Sequence, residues 1–359
     1  MKILFSGGGT LGPVTPLLAI VETLRARKNA ADFEFAWIGT ERGVELPYIR
    51  RAGITLYTIP SGKLRRYFST KNFTDIIQLA KGFFQARAIL REFGPDVVVT
   101  AGGFVSVPVH FAAWTLGIPS VVHQQDVIVG LANRLMAIVA AKITVSTEGH
   151  TKKFSAKKVV YTGNPVRPSV LDGSREKGIE LFKLGGDRAT VFIFGGGTGA
   201  ENINHTVEQL VKDCAGMFQI VHLTGSNRIQ PQVANNFYHP YPFFIGEMSH
   251  AYAAADVIVS RAGFNAISEI AAWGKPAILI PIHGSHQEAN AQFVVDAGGA
   301  VMLDESTLGA ADLYEKIRVL LTDEQMYKQQ SDALLGLFPK DAVEKVADLI
   351  CAVGDTKAK

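Results

Sequence analysis

One pattern occurs twice and limits what this chain can fold into. The opening "KILFSGGGTLG" is an apolar run that breaks into small residues and then enters a helical pattern. "TVFIFGGGTGA" at 190–200 does the same. A strand that ends in glycines and feeds a helix is the first turn of a doubly wound α/β unit. Two copies so far apart predict two such units in tandem.

The rest of the chain keeps that rhythm. "FEFAWIG", "ITLYTIP", "DVVVTAGG", "PSVVHQQ", "KITVS" and "KVVYTGN" alternate with helical stretches after the first copy. "QIVHLTG", "FFIGEM", "ADVIVSRAG" and "KPAILIP" follow the second. Continuous β-branched runs of this kind predict parallel strands covered on both faces. The join is expected near "TGNPVRPSVL", where Pro165 and Pro168 punctuate the chain. The expected domains are 1–163 and 164–338, with 339–359 a closing helix packed back on the first. In this architecture ligands sit at the carboxyl ends of the strands, so the function is expected in a cleft between the two units.

Composition excludes several classes. With 47% hydrophobic and 19% charged residues in 359, the chain is globular. A net charge of +3 gives no reason to expect nucleic acid as a partner. The two cysteines, Cys214 and Cys351, suggest neither a zinc site nor a disulfide framework and suit a reducing cytoplasm. No apolar run is long enough for a signal peptide or a spanning helix, so any membrane contact is expected to be peripheral.

The polar residues at strand ends carry the chemistry. Gly7, Gly9 and Gly12 match G-x-G-x-x-G, and Gly195, Gly197 and Ala200 match its variant. The acid that would bind a nicotinamide ribose is missing: Glu41 comes too late, and Asp32 and Glu34 too early. Phosphate or sugar contact is the better reading of both loops. Gly102 and Gly103 make a third turn, with the Ser106 hydroxyl at a helix start. His123, Gln124, Gln125 and Asp126 stand in a row after a buried strand. Arg261, Glu269, Gln287 and Asn290 come from neighbouring strand ends and suit a nucleotide, with charge for pyrophosphate and a carboxylate for ribose. Residues 63–93 combine Phe73, Phe83 and Phe84 with a basic, aromatic loop containing Arg65, Arg66 and Phe68, a pairing that suits an anionic membrane surface. No D-x-D occurs, so no metal–diphosphate site of that kind is indicated.

Together these residues resemble the MurG family of bacterial peptidoglycan glycosyltransferases. The resemblance runs from Gly7 to about Asn290, with loops in the same order. It implies the two-domain glycosyltransferase B fold and inverting, metal-independent transfer of N-acetylglucosamine. The donor would be UDP-N-acetylglucosamine, with no further cofactor. The acceptor would be undecaprenyl-diphospho-muramoyl-pentapeptide (lipid I), giving lipid II at the cytoplasmic face of the bacterial membrane. By that resemblance the first domain takes the lipid acceptor and the second the nucleotide. Arg167 of "GNPVR" would contact the diphosphate, Glu269 the ribose with Arg261 beside it, and the Ile245 backbone the uracil. Gln287 and Asn290 would lie near the donor sugar, as would Thr10, Leu11, Gly12 and Asp126. Gly197, Thr198 and Gly199 would hold phosphate, with Gly197 where the family has serine. Gly9, Gly102, Gly103 and Ser106 would shape the acceptor loops.

The acceptor side departs from the family pattern. GGTGGHxxP reads "GGTLGPVTP", with Leu11 for a glycine and Pro13 for a histidine proposed as base or acceptor-positioning group. HEQN reads "HQQD", with Asp126 for asparagine. Proline carries no proton, so Asp126 is expected to act as base, with His123 as the second candidate. The altered loops keep other readings open: a different lipid acceptor such as diacylglycerol, or a UDP-sugar-binding protein without turnover. A nicotinamide oxidoreductase rests on the glycine spacing alone.

Overall fold

The computed structural model describes residues 1–62, 71–196, 200–213, 216–225 and 236–356, with only the backbone for 71–76 and 213. Arg65, Arg66, Phe68, Gly197, Thr198 and Gly199 therefore lie outside the described residues or side chains.

The described chain divides into two units, residues 1–167 with 341–359, and residues 168–340. The first boundary falls four residues beyond the expected one. Asn164 belongs to the first unit through its hydrogen bond to His123, and Pro168 opens a helix of the second.

In the first unit the strands are β1 (Lys2–Ser6), β2 (Glu34–Thr40), β3 (Thr55–Ile59), β4 (Val97–Thr100), β5 (Ser120–Gln124), β6 (Lys142–Val145) and β7 (Val159–Tyr161). They form one sheet in the order β3-β2-β1-β4-β5-β6-β7, with every pairing parallel. Parallel neighbours need crossovers, here supplied by α1 (Thr15–Ala26), α2 (Leu46–Arg51), α3 (Lys71–Phe93), α4 (Ser106–Thr115) and α5 (Leu131–Val139). The order reverses beside β1, so the ends of β1 and β4 meet at the switch point.

The second unit holds the helices α6 (Pro168–Leu171), α7 (Arg175–Phe182), α8 (Glu201–Asp213), α9 (Met248–Ala254), α10 (Phe264–Trp273), α11 (Gln287–Asp296), α12 (Ala310–Thr322) and α13 (Glu324–Leu335). Its strands are β8 (Ala189–Phe194), β9 (Phe218–Leu223), β10 (Tyr238–Tyr241), β11 (Val257–Ser260), β12 (Ala277–Leu279) and β13 (Ala300–Met302). They run in the order β10-β9-β8-β11-β12-β13, again parallel throughout.

Two strands differ from expectation. "FFIGEM" is not a strand; β10 lies just before it, as "YHPY". Pro240 can sit there because β10 is an edge strand, where a missing N–H breaks no interior ladder. The three-residue β13 gives no sequence signal of its own. The closing helix α14 (Ala342–Asp355) belongs to the first unit. Its Val346, Ala347, Ile350 and Val353 join Ile3, Phe5, Leu17 and Val97 in one buried cluster. Arg27, just beyond α1, reaches both Glu344 and Asp348 at 2.7 Å.

Candidate functional site

In the first unit, three loops come together at the strand ends. A Cβ built on Gly103 would lie 3.1 Å from the Gly8 carbonyl oxygen and 3.7 Å from Pro13 Cγ. One on Gly12 would lie 3.4 Å from Gln125 Nε2, and one on Gly102 would lie 3.3 Å from Asn133 Oδ1. Gly102 and Gly103 both have positive φ, 120° and 90°, which favours residues without a Cβ. Buried Pro13 packs against Gly7 and the Gly103 turn, a space-filling role. Thr10 is exposed, with Leu11 and Gly12 partly so.

Ser106 has no surface to offer a ligand. It is fully buried, and its hydroxyl donates to the Gly102 carbonyl (3.0 Å) and meets Thr100 Oγ1 at 2.9 Å. It shapes the third turn from behind. His123 is also buried inside β5, with Nδ1 2.8 Å from the Thr144 hydroxyl and Nε2 2.9 Å from Asn164 Oδ1. Burial lowers its pKa to about 4, so the ring is neutral at pH 7. With both nitrogens engaged and no exposure, His123 holds the loop and is not placed to carry a proton.

Asp126, by contrast, is partly exposed in a loop pinned on several sides. Gln124 Nε2 donates to the Asp126 carbonyl at 2.6 Å. Asn133 Nδ2 donates to Gln124 Oε1 at 2.7 Å, and the Ser146 hydroxyl donates to the Gln125 carbonyl. His150 Nε2 and Lys153 Nζ reach the Val127 carbonyl at 3.0 and 3.1 Å. Burial lowers the His150 pKa, against the Val127 carbonyl and, more weakly, the Asp126 carboxylate, which favour the cation. The backbone around Asp126 is thus set before any ligand arrives.

Arg167, at the end of this unit's first segment, keeps a 30% exposed side chain, with Nη1 4.0 Å from Glu22 of α1. At that distance and partial exposure the pairing is weak.

In the second unit the expected nucleotide residues lie on the turn after β11 and on the helices and loops that follow strands, each already hydrogen-bonded within the protein. Arg261 follows β11 and forms a buried ion pair with Glu305, while its Nη1 donates to the Ile280 and Pro281 carbonyls at 3.2 and 3.3 Å. Glu305 also accepts from the His283 N–H and Asn202 Nδ2, each at 3.1 Å. The Arg261 guanidinium outweighs burial and holds the Glu305 carboxyl below the usual range. Arg261 therefore ties the ends of β11 and β12 to Glu305 and α8, instead of standing free beside a pyrophosphate. Glu269 on α10 is buried and accepts from the Tyr252 hydroxyl at 2.9 Å. Asn290 is fully buried, and its Nδ2 donates to the Ala262 carbonyl at 3.1 Å, so it fastens the turn after β11. Gln287, one turn earlier and half-buried, accepts from the Ile282 N–H at 3.3 Å.

Ile245 is 62% exposed, and its N–H donates to Glu247 Oε2 at 2.5 Å. Burial would raise the Glu247 pKa, but the N–H groups of Gly246, Glu247 and Ile245 lower it overall. On α3, Phe84 is 69% exposed and Ile77 51%, whereas Phe83 turns partly into the core and meets Phe84 edge-on. Sequence reasoning missed Tyr252, Glu305 and Glu45. The only hint of Glu45 was the pair of glycines, Gly39 and Gly43, that precede it.

The glycosyltransferase family 28 N-terminal domain matches residues 3–145, and the family's C-terminal domain matches residues 190–348. The chain belongs to glycosyltransferase family 28. It is 37% identical, over 97% of its length and 98% of the relative's, to the Clostridium kluyveri UDP-N-acetylglucosamine–N-acetylmuramyl-(pentapeptide) pyrophosphoryl-undecaprenol N-acetylglucosamine transferase. The Shouchella clausii protein of the same name is 38% identical over 92% of this chain and 94% of that one. Among solved structures, MurG of Acinetobacter baumannii superposes with a TM-score of 0.74 at 25% identity, covering 98% of this chain and 99% of that one. The kitacinnamycin glycosyltransferase shares the fold alone, with a TM-score of 0.75 at 16% identity over 98% of both chains. Each unit is thus a parallel-sheet α/β domain of the glycosyltransferase B kind. The oxidoreductase reading of the glycine spacing falls with family 28 membership.

Proposed function

We propose that this chain is the hexosyltransferase that moves N-acetylglucosamine from UDP-N-acetylglucosamine to undecaprenyl-diphospho-muramoyl-pentapeptide, with inversion, making lipid II for peptidoglycan. One observation carries the reading: the likeness to transferases of that name runs almost the whole length of both chains. The strand-end residues support it. Attack by the acceptor hydroxyl on the anomeric carbon needs a proton acceptor, and UDP departure needs its charge stabilised. Asp126, partly exposed on a pinned loop, is the base in this reading. It takes the proton as the new glycosidic bond forms and the bond to UDP breaks. Arg167 is the cation for the diphosphate, Glu269 the carboxylate for ribose hydroxyls, and Gln287 the amide for the donor sugar.

Among the described residues no helix is long and apolar enough to cross a membrane. In this reading the lipid acceptor is met at the cytoplasmic face of the bacterial membrane. Exposed Ile77 and Phe84, seven residues apart on α3, would supply the apolar contact with an anionic surface.

The test is transfer from radiolabelled UDP-N-acetylglucosamine to a soluble lipid I analogue, with chelator present. Product is expected. UDP binding without product on this acceptor would move the search to a diacylglycerol acceptor or to a binding role.

A further inference from the structure

Beneath the first glycine-rich loop lies a carboxylate that the chemistry above does not use. Glu45, just before α2, has no exposed surface. Its Oε2 accepts from the Gly9 N–H at 3.1 Å. Its Oε1 accepts from the Thr40 N–H at 2.8 Å and from the Thr40 hydroxyl at 2.6 Å. A buried carboxylate persists only where its lone pairs are met in this way.

The space for it is made by glycines. A Cβ on Gly8 or on Gly43 would fall on the Glu45 carboxylate, and one on Gly39 would come within 3.2 Å of Oε1. Gly9, whose N–H points at Glu45, has φ +83°, and Trp37 Nε1 donates to the Gly7 carbonyl at 2.9 Å. The loop is therefore held at two residues, Gly7 and Gly9, while Thr10 is exposed.

We infer that Glu45 is a positioning residue. Its carboxylate takes the place an anion would occupy beneath a glycine-rich loop, fixing Gly9 in the left-handed region. The loop is then shaped before substrate binds and offers Thr10 to Gly12 to sugar hydroxyls. The kinetic part rests on the proposed transferase activity; the structural part does not.

Glu45→Gln keeps the side chain's shape but replaces one acceptor oxygen with an amide NH2, which cannot accept from a facing N–H. Amide hydrogen exchange at Gly9 is expected to quicken at least tenfold in the full-length protein. The transfer kcat is expected to fall tenfold or more, with the UDP Kd within twofold of the parent. Thr40→Val, which deletes only the hydroxyl donor, should give the same changes at two- to fivefold and carries the test if Glu45→Gln fails to fold. Unchanged Gly9 exchange would overturn the inference. So would faster exchange with normal kcat, or a UDP affinity that falls in step with kcat. An inactive parent protein would instead sink the transferase reading, and the exchange contrast would still decide whether Glu45 shapes the loop.

Discussion

The two units solve one problem in opposite ways. Each must keep polar groups still at the ends of parallel strands. In the first unit the buried carboxylate of Glu45 meets N–H and O–H donors, and the Asp126 loop is held mainly by amides, hydroxyls and an imidazole. In the second, Glu305 meets a guanidinium and Glu269 a phenol. The difference teaches where charge can be left for a substrate. The first unit fixes the Asp126 loop mostly with neutral donors, Lys153 apart, and keeps Asp126 partly exposed, whereas the ion pair in the second unit is consumed in fixing the backbone.

The contrast breaks most visibly at Asp126. Asp126→Asn should lower turnover by about 10²–10⁴ with UDP affinity kept, read by steady-state transfer and calorimetry. Near-normal turnover would remove Asp126 as base. Next is Glu305→Ala, which strands a largely buried guanidinium. A loss on the order of 3–5 kcal/mol in unfolding free energy is expected from denaturant titration.

Acid should act on both units through buried imidazoles. His110, His123 and His222 are buried, and burial depresses their pKa values to about 3, 4 and 3. The unfolded chain binds protons at these rings near pH 6.5, before the folded one does. Their stabilisation is therefore complete above that pH and is lost as pH falls towards the folded values. Unfolding followed from pH 7 to 4 should show a fall on the order of 3 kcal/mol from His123 alone. The smallest change is Tyr252→Phe, which removes the phenol from Glu269. It should cost about 1 kcal/mol, seen as a few-fold weaker UDP binding with kcat held.

Much of the architecture was legible because parallel strands, buried on both faces, write themselves as unbroken apolar runs such as Val97–Thr100. The proline in β10 and the brevity of β13 hid the two edges of the second sheet. At the site, local spacing pointed to the right loops but not to what each side chain touches. Ser106 and Asn290 are polar residues in the first turns of α4 and α11 that turn inward, and nothing in their neighbours' identity announces it. Glu45 meets Gly9 across 36 positions of sequence, so only the pairing of β1 with β2 brings them together.

Helix α14 carries a consequence for synthesis. The last apolar strip of the first unit's core is encoded after the whole second unit. At ~5–20 residues per second, a growing chain spends roughly 10–35 s with α1 uncovered on that side. During that interval part of the first unit's core is exposed, and the second unit can finish folding before it. The order of manufacture and the order of completion can thus be reversed.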